Sequence, residues 1–364
     1  MTQTPDWLTE GYPELRAAPP WVMQEMIESQ PDLLEQIATT SDTAALALLL
    51  KGAGPHHTVG CGTSEHASLA VAEILTEAGT PVTSLQAFEA ALSPPAAGSV
   101  TGISHSGSTW ATNEALRAAR AAGRATGVIT AGPQRAASTH ADGVLATPVE
   151  DASWCHTVGY TSPIAAALAL AATLSQLEIA PGTVRDLVAA GVAVRAQATA
   201  VAEQLADAGQ IILVGSGADR IAARELTLKI EEASYLPSAM RDLETFLHGH
   251  LPACDDSTGL VLIHADRRAS QRRTDRGSQL LTAARRVGIR TAAITTGGLP
   301  ADQLSAGSID APSTEELPAA AAALLGTAAP LQWLAHELAI ARGTNPDLIR
   351  RDQASYREAA DSYE

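Results

Sequence analysis

Apolar residues recur along this chain in two alternating patterns: short β-branched or aliphatic runs that end at glycine or proline, and longer stretches spaced to one helix face. The short runs predict a strand running into a glycine turn at 57–64, then strands at 81–88, 99–103, 126–130 and 143–148. A second cycle opens at 210–217, with further strands at 259–264 and 291–295. The longer pattern predicts helices at 21–37 (broken or bent near Pro31), 41–50, 65–78, 163–178, 184–208, 220–234 and 315–342. Strands alternating with helices mean an α/β protein, with parallel sheets covered by helices on both faces. The strand–glycine–helix opening at 59–62 returns at 214–217, so two copies of one unit are expected. The expected boundaries are an arm and lead-in helix over 1–40, a first unit over 41–182, a second over 183–342 and a polar tail over 343–364.

The strand at 99–103 runs into Ser104-His105-Ser106-Gly107-Ser108-Thr109, and a helical stretch follows at 113–119. A strand, a hydroxyl-rich turn and a helix N-terminus together favour an anion, because the first helical N–H groups lack partners and the macrodipole is positive there. Ser104, Ser106 and Thr109 can donate to phosphate oxygens without adding a competing charge. An ordinary Ser/Thr helix cap has the same local pattern, which leaves both readings open. The second unit reads His264-Ala265-Asp266-Arg267-Arg268 at its corresponding turn. Aspartate there repels phosphate, so one anion site per chain is expected, in the first half. Arg267, Arg268, Arg272, Arg273 and Arg276 read as a solvated helix face in preference to a partner surface. The pairs Gly60-x-Gly62 and Gly215-x-Gly217 lack the third glycine of a dinucleotide fingerprint, since Glu65 and Arg220 stand there.

Composition narrows the function classes. Net charge is −16, from 24 basic and 40 acidic residues, which argues against nucleic acid as a partner but not against a small anion at a local site. Cys61, Cys155 and Cys254 are widely separated and without metal spacing, as expected of free thiols in a reducing compartment. The N-terminus lacks the basic and apolar regions of a signal peptide, and no apolar run reads as a membrane span; a cytoplasmic protein is expected. Lysine occurs only as Lys51 and Lys229.

Two sets of residues together carry a resemblance. One is Gly60-Cys61-Gly62-Thr63-Ser64 with the run from Ser104 to Thr109; the other is Leu228-Lys229-Ile230-Glu231-Glu232-Ala233-Ser234-Tyr235 with Leu247-His248-Gly249-His250-Leu251. The chain resembles the tandem sugar isomerase (SIS) domain family from Trp21 to about Asp347. In particular it is similar to the isomerase half of glucosamine-6-phosphate synthase and to amino-sugar-phosphate deaminases and fructosamine-phosphate deglycases. The resemblance implies two SIS-type doubly wound sheets, a phosphorylated sugar or amino sugar as ligand, a homodimer with shared active sites, and no metal or redox cofactor. It puts a phosphate loop on Ser104, His105, Ser106 and Thr109, with Thr63 and Ser64 beside it. His105 stands where the family usually has glutamine. A catalytic glutamate falls on Glu232, with Lys229 three residues before it, and a ring-opening histidine falls on His248. An acidic position with a threonine six residues later falls on Asp151 and Thr157, the loosest part of the match. The synthases' tail lysine is missing: Ala354 stands in its place, so the tail cannot form a Schiff base.

Aldose–ketose interconversion moves one proton between C1 and C2, and one partly desolvated carboxylate can carry it. Glu232, on an apolar helix with Leu226, Leu228 and Ile230, suits that role. His248 suits ring opening. Lys229 shares the helix face of Glu232, where it can pair with the carboxylate or meet a substrate oxygen. The expected function is isomerisation, deamination or deglycation of a sugar phosphate, with a non-catalytic sugar-phosphate regulator as the alternative.

Overall fold

The computed structural model describes residues 15–362, so most of the expected N-terminal arm lies outside the described residues. Helices α1 (Val22–Thr40) and α2 (Ala44–Leu50) lead into the first sheet. That sheet is built from β1 (His56–Gly60), α3 (Thr63–Glu77), β2 (Val82–Gln86), α4 (Ala87–Leu92), β3 (Ser99–Ile103), α5 (Trp110–Ala121), β4 (Ala125–Thr130) and β5 (Gly143–Ala146). Then α6 (Val158–Ser175), α7 (Thr183–Val192) and α8 (Arg195–Leu205) carry the chain across. The second sheet follows as β6 (Gln210–Gly215), α9 (Asp219–Ser234), β7 (Ser238–Asp242), β8 (Thr258–His264), α10 (Ser270–Val287), β9 (Arg290–Thr295) and β10 (Gly307–Asp310). The chain closes with α11 (Ala319–Ala341) and α12 (Ala354–Asp361).

Both sheets are five-stranded and parallel throughout, with orders β2-β1-β3-β4-β5 and β7-β6-β8-β9-β10. Counted from its first strand, each sheet has the same order, so strand direction reverses its spread at β1/β3 and again at β6/β8. One apolar cluster runs from Ile103 and Ile129 in the first sheet, through α6 and α11, to Leu213, Val261 and Ile294 in the second. The alanine-rich helices permit this: α11 is buried from Ala319 to Ala339, and at Gly326 a Cβ would come within 2.0 Å of the Pro312 carbonyl oxygen. By length and composition α6 could cross a membrane, yet 78% of it is buried in this shared core.

Several elements depart from the sequence pattern for identifiable reasons. The expected helix at 184–208 is two helices, because α7 packs on α1 while α8 turns to meet α11 and β10. Pro31 lies inside an unbroken α1. Strand β2 stops at Gln86, whose side chain accepts the Glu89 N–H at 3.0 Å and starts α4. Strands β7 and β10 are half-exposed or short edge strands, so their apolar alternation is weak. The arginine run is not a freely solvated face. Arg267 donates to the Thr314 and Leu317 carbonyls, Arg268 pairs with Asp266 and Glu73, Arg273 with Asp266, and Arg276 with Glu244. Arg272 alone of the five is left exposed.

Candidate active site

A cavity of about 340 Å³ opens beyond the C-terminal ends of β1 and β3, where strand order reverses. One wall is the turn after β3. Gly107 holds φ +72°, and a Cβ there would come within 2.8 Å of the Gly132 carbonyl oxygen, so only glycine lets the turn close this tightly. Ser106 and Thr109 line the cavity, as do Thr63 and Ser64 at the start of α3. Thr109 is the N-cap residue of α5, yet its side chain makes no capping hydrogen bond, which leaves the hydroxyl to the cavity. Ser106 Oγ lies 2.8 Å from Ser108 Oγ. Ser104 Oγ is fully buried without a hydrogen-bond partner among the described residues, and it is not part of the cavity wall.

His105 is buried in the same wall, and its Nε2 accepts the Asp151 backbone N–H at 2.7 Å. An accepting Nε2 is unprotonated, so the ring is neutral with its proton on Nδ1. Burial, which lowers its pKa, agrees with that state. His156 lies beside it, ring centroids 5.2 Å apart, and burial pushes its pKa down to about 4. The wall therefore presents hydroxyls and neutral rings to an incoming anion.

Asp151 and Thr157 do come together, but as a helix cap. The Asp151 carboxylate accepts the Thr157 N–H at 2.5 Å, the Gly159 N–H at 3.1 Å and the Ser153 N–H at 3.2 Å, and neither Asp151 nor Thr157 lines the cavity. Their part is to fix the start of α6 and, through the Asp151 N–H, the ring of His105.

Glu232 forms the opposite wall from the second half of the chain, with 23% of its side chain exposed. Lys229, one helical turn back and fully buried, holds it at 2.5 Å. Glu225, a further turn back, lies 3.7 Å from the same ammonium and accepts from His66 Nδ1 at 2.7 Å and from Thr63 Oγ1 at 3.3 Å. Burial works against the Lys229 charge, but Glu232, Cys155 and Glu225 outweigh it and the pKa rises. For Glu232 burial prevails: it raises the carboxyl pKa, Lys229 pulls it back, and Glu225 adds to the rise. A carboxylate so poised is suited to take and return a proton.

His248 stands apart. It lies in the π-turn Phe246–His250 with 74% of its side chain exposed, 3.3 Å from Glu244, and outside the cavity. Within one chain it does not meet Glu232.

The rest of the wall was not anticipated: Cys61, Trp154, His156, Ile349 and Arg351. Glu225 could have been found from its spacing of four from Lys229, but the tail residues could not, because their position depends on Asp347. Its carboxylate accepts the Val22 and Met23 N–H groups and the Ser153 hydroxyl, each at 2.8 Å, which pins the tail across the cavity mouth. Ala354 is the exposed first residue of α12, while Arg351 brings a guanidinium to the rim, 5.3 Å over the Trp154 ring.

Residues 204–333 match the family model described as the SIS domain. The glutamine–fructose-6-phosphate aminotransferase (isomerizing) of Symbiobacterium thermophilum is 27% identical over 353 aligned positions, covering 91% of this chain and 56% of that protein. The chain thus spans about half the length of the curated relative it matches. Among solved structures, the C-terminal domain of glucosamine-fructose-6-phosphate aminotransferase from Francisella tularensis superposes with a TM-score of 0.77 at 20% identity, covering 90% of this chain and 98% of that one. Tagatose-6-phosphate ketose/aldose isomerase from Escherichia coli gives 0.77 at 22% identity, covering 93% and 97%. Glucosamine-6-phosphate deaminase from Thermotoga maritima gives 0.70 at 19% identity, covering 90% and 97%. At these identities the likeness is one of fold.

Proposed function

We propose that this protein is an enzyme that binds a phosphorylated sugar or amino sugar with its phosphate in the turn from Ser104 to Thr109 and moves a proton between C1 and C2 through Glu232. The observation that carries this reading is a single cavity that joins the hydroxyl turn of one half to a partly exposed carboxylate of the other, with a buried ammonium behind it. The names of the aminotransferase, the deaminase and the isomerase all contain a hexose 6-phosphate, which supports that ligand class.

In the proposed cycle the turn's hydroxyls and the N-terminus of α5 hold the phosphate. Glu232 takes the proton from one carbon and returns it to the neighbouring one, while Lys229 offsets charge as the carboxylate changes state. His248 opens the sugar ring from a second subunit, which would have to cover the cavity rim. Exposed apolar side chains beside the turn, Trp110 (61% exposed), Leu92 (66%) and Phe88 (42%), suit a surface of that kind.

Incubation with fructose 6-phosphate, glucosamine 6-phosphate and a fructosamine phosphate, read out as ketose–aldose conversion and as release of ammonia or amine, tests the reading. Conversion of at least one member is expected. Binding of these ligands with no turnover of any would contradict an enzyme and favour a sugar-phosphate-sensing role.

A further inference from the structure

Two further cavities open on the described surface. One, of about 490 Å³, continues the active cavity across Glu232 and Ile349 to Arg350 and Tyr356, and so belongs to the same site. The other, of about 380 Å³, lies at the far end of the same helix pair. Helices α3 and α9 pack in opposite directions. The start of α3 meets the end of α9 at the active cavity, where Thr63 and Ser64 face Glu232. The end of α3 meets the start of α9 at the other, where Glu73 and Thr76 stand with Gly217 and Arg220. Strand β2, the open edge of the first sheet, lines that cavity too.

Its lining differs from that of the active cavity in charge and in polarity. Arg220 and Arg224 stand one helical turn apart on α9, so both reach the same space. Asp242 holds Arg220 at Nε, which leaves the two terminal amino groups of that fork without a hydrogen bond among the described residues. Arg224 has only a loose partner, Glu65 at 3.8 Å, beyond hydrogen-bond reach. The one carboxylate in the lining, Glu73, is already held by Arg268 at 2.8 Å. In a chain of net charge −16, this cavity therefore keeps positive charge in excess. Leu69, Ala72, Val82 and Ile221 add apolar lining, whereas the active cavity is walled mainly by hydroxyls, histidines and charged groups.

Two guanidiniums one turn apart suit a doubly charged phosphate, and Thr83 on β2 adds a hydroxyl. The aliphatic lining suits an apolar body and gives the hydroxyls of a sugar few partners. We propose that this cavity is a second ligand site, which takes a phosphate monoester with an apolar body and lies apart from the proton transfer at Glu232. A ligand there grips the two helices that build the active cavity. Arg224 adjoins Glu225, and its partner Glu65 lies between Ser64 and His66.

Calorimetry on the full chain carrying Ser64→Asp tests this, because that substitution puts a negative charge at the first turn and leaves the second cavity untouched. The start of α9 already carries an aspartate, Asp219, so the fold accepts one there. Phenyl phosphate should bind this protein at least about tenfold tighter than inorganic phosphate, the effect of covering part of an apolar wall. Adding Arg220→Ala or Arg224→Ala should weaken phenyl phosphate at least about fivefold, as expected when a charge-assisted contact is lost. Should either variant fail to fold, Thr83→Tyr, at an exposed position of the edge strand, fills the cavity and must abolish binding instead. Binding of phenyl phosphate to wild type but not to Ser64→Asp places the ester at the first turn and overturns the inference, leaving the phosphosugar reading standing. Equal affinity for the two probes, binding that survives the substitutions, or no binding to either protein overturns it as well. Fructose 6-phosphate titrated into wild type tests the phosphosugar reading separately.

Discussion

The two halves of the molecule use one strand order and one turn geometry to opposite ends. Gly60 and Gly215 are equivalent, since a Cβ at either would strike the carbonyl oxygen four residues on, at 2.2 Å from Ser64 and 2.4 Å from Asp219. That equivalence matches a serine in the first half with an aspartate in the second. Asp219, fully buried, accepts the N–H groups of Ala265 and Asp266 at 3.0 to 3.2 Å, so its carboxyl fills the place an anion would take at the turn after β8. Asp266 is in turn tied to Arg268 at 2.6 Å and Arg273 at 3.3 Å. At the turn after β3, by contrast, no acceptor meets the N–H groups of His105 and Ser106 among the described residues, and Ser64 lines the cavity. The comparison teaches that the scaffold supplies an anion-shaped turn twice, and that one side chain decides whether the protein fills it or leaves it for a ligand.

The sharpest way to break this contrast is to give the first turn the second turn's charge. Ser64→Asp, the counterpart of Asp219, puts a carboxylate about 4 Å from a bound phosphate, a repulsion of roughly 4 kcal/mol near a protein surface, so sugar-phosphate affinity by calorimetry should fall at least about a hundredfold. Unchanged affinity would move the phosphate away from this turn. A smaller effect tests whether the halves work in one chain or between two. Glu232→Gln and His248→Asn variants, each inactive, should recover about a quarter of wild-type activity when unfolded together and refolded, because half the dimers of a random mixture are mixed and each has one intact site. Mixed dimers confirmed by native mass spectrometry without activity would mean that His248 does not serve a neighbour.

The smallest effect concerns the filled turn. Burial raises the Asp219 pKa to about 7, against the pull of the two backbone N–H groups. The folded chain then holds a proton that the unfolded chain releases near pH 4, so this group's contribution is fully present at low pH and fades as pH rises towards 7. Across that window the stability difference between wild type and Asp219→Asn should drift against wild type by up to about 1.4 kcal/mol per pH unit. Urea unfolding at several pH values measures it, and a flat difference would mean that Asp219 is ionised throughout.

Much of this was legible in the sequence, for physical reasons. Central parallel strands such as β3 and β8 are buried at every position and carry short aliphatic or β-branched runs, so they stand out, whereas the edge strands β7 and β10 carry no such run. The hydroxyl turn was legible because its chemistry is contiguous. Its members nevertheless differ in place: Ser106 and Thr109 face the cavity, Ser104 is buried behind it, and Asp151 with Thr157 caps a helix. The role of the tail could not be read, because Arg350 and Arg351 are brought to the cavities by long-range contacts such as the grip of Asp347 on the start of α1 and the Arg350 N–H on Tyr235 Oη.

The central claim is that Glu232 carries the proton for a ligand held at the first turn. It is tested most directly by following, in deuterated water, exchange of the C1 or C2 hydrogen of whichever sugar phosphate is converted, with wild type and with Glu232→Gln. The substitution keeps shape and removes basicity, so exchange should slow by a factor on the order of 10² to 10⁴ while the ligand still binds. Exchange persisting near the wild-type rate in the bound variant would contradict the account.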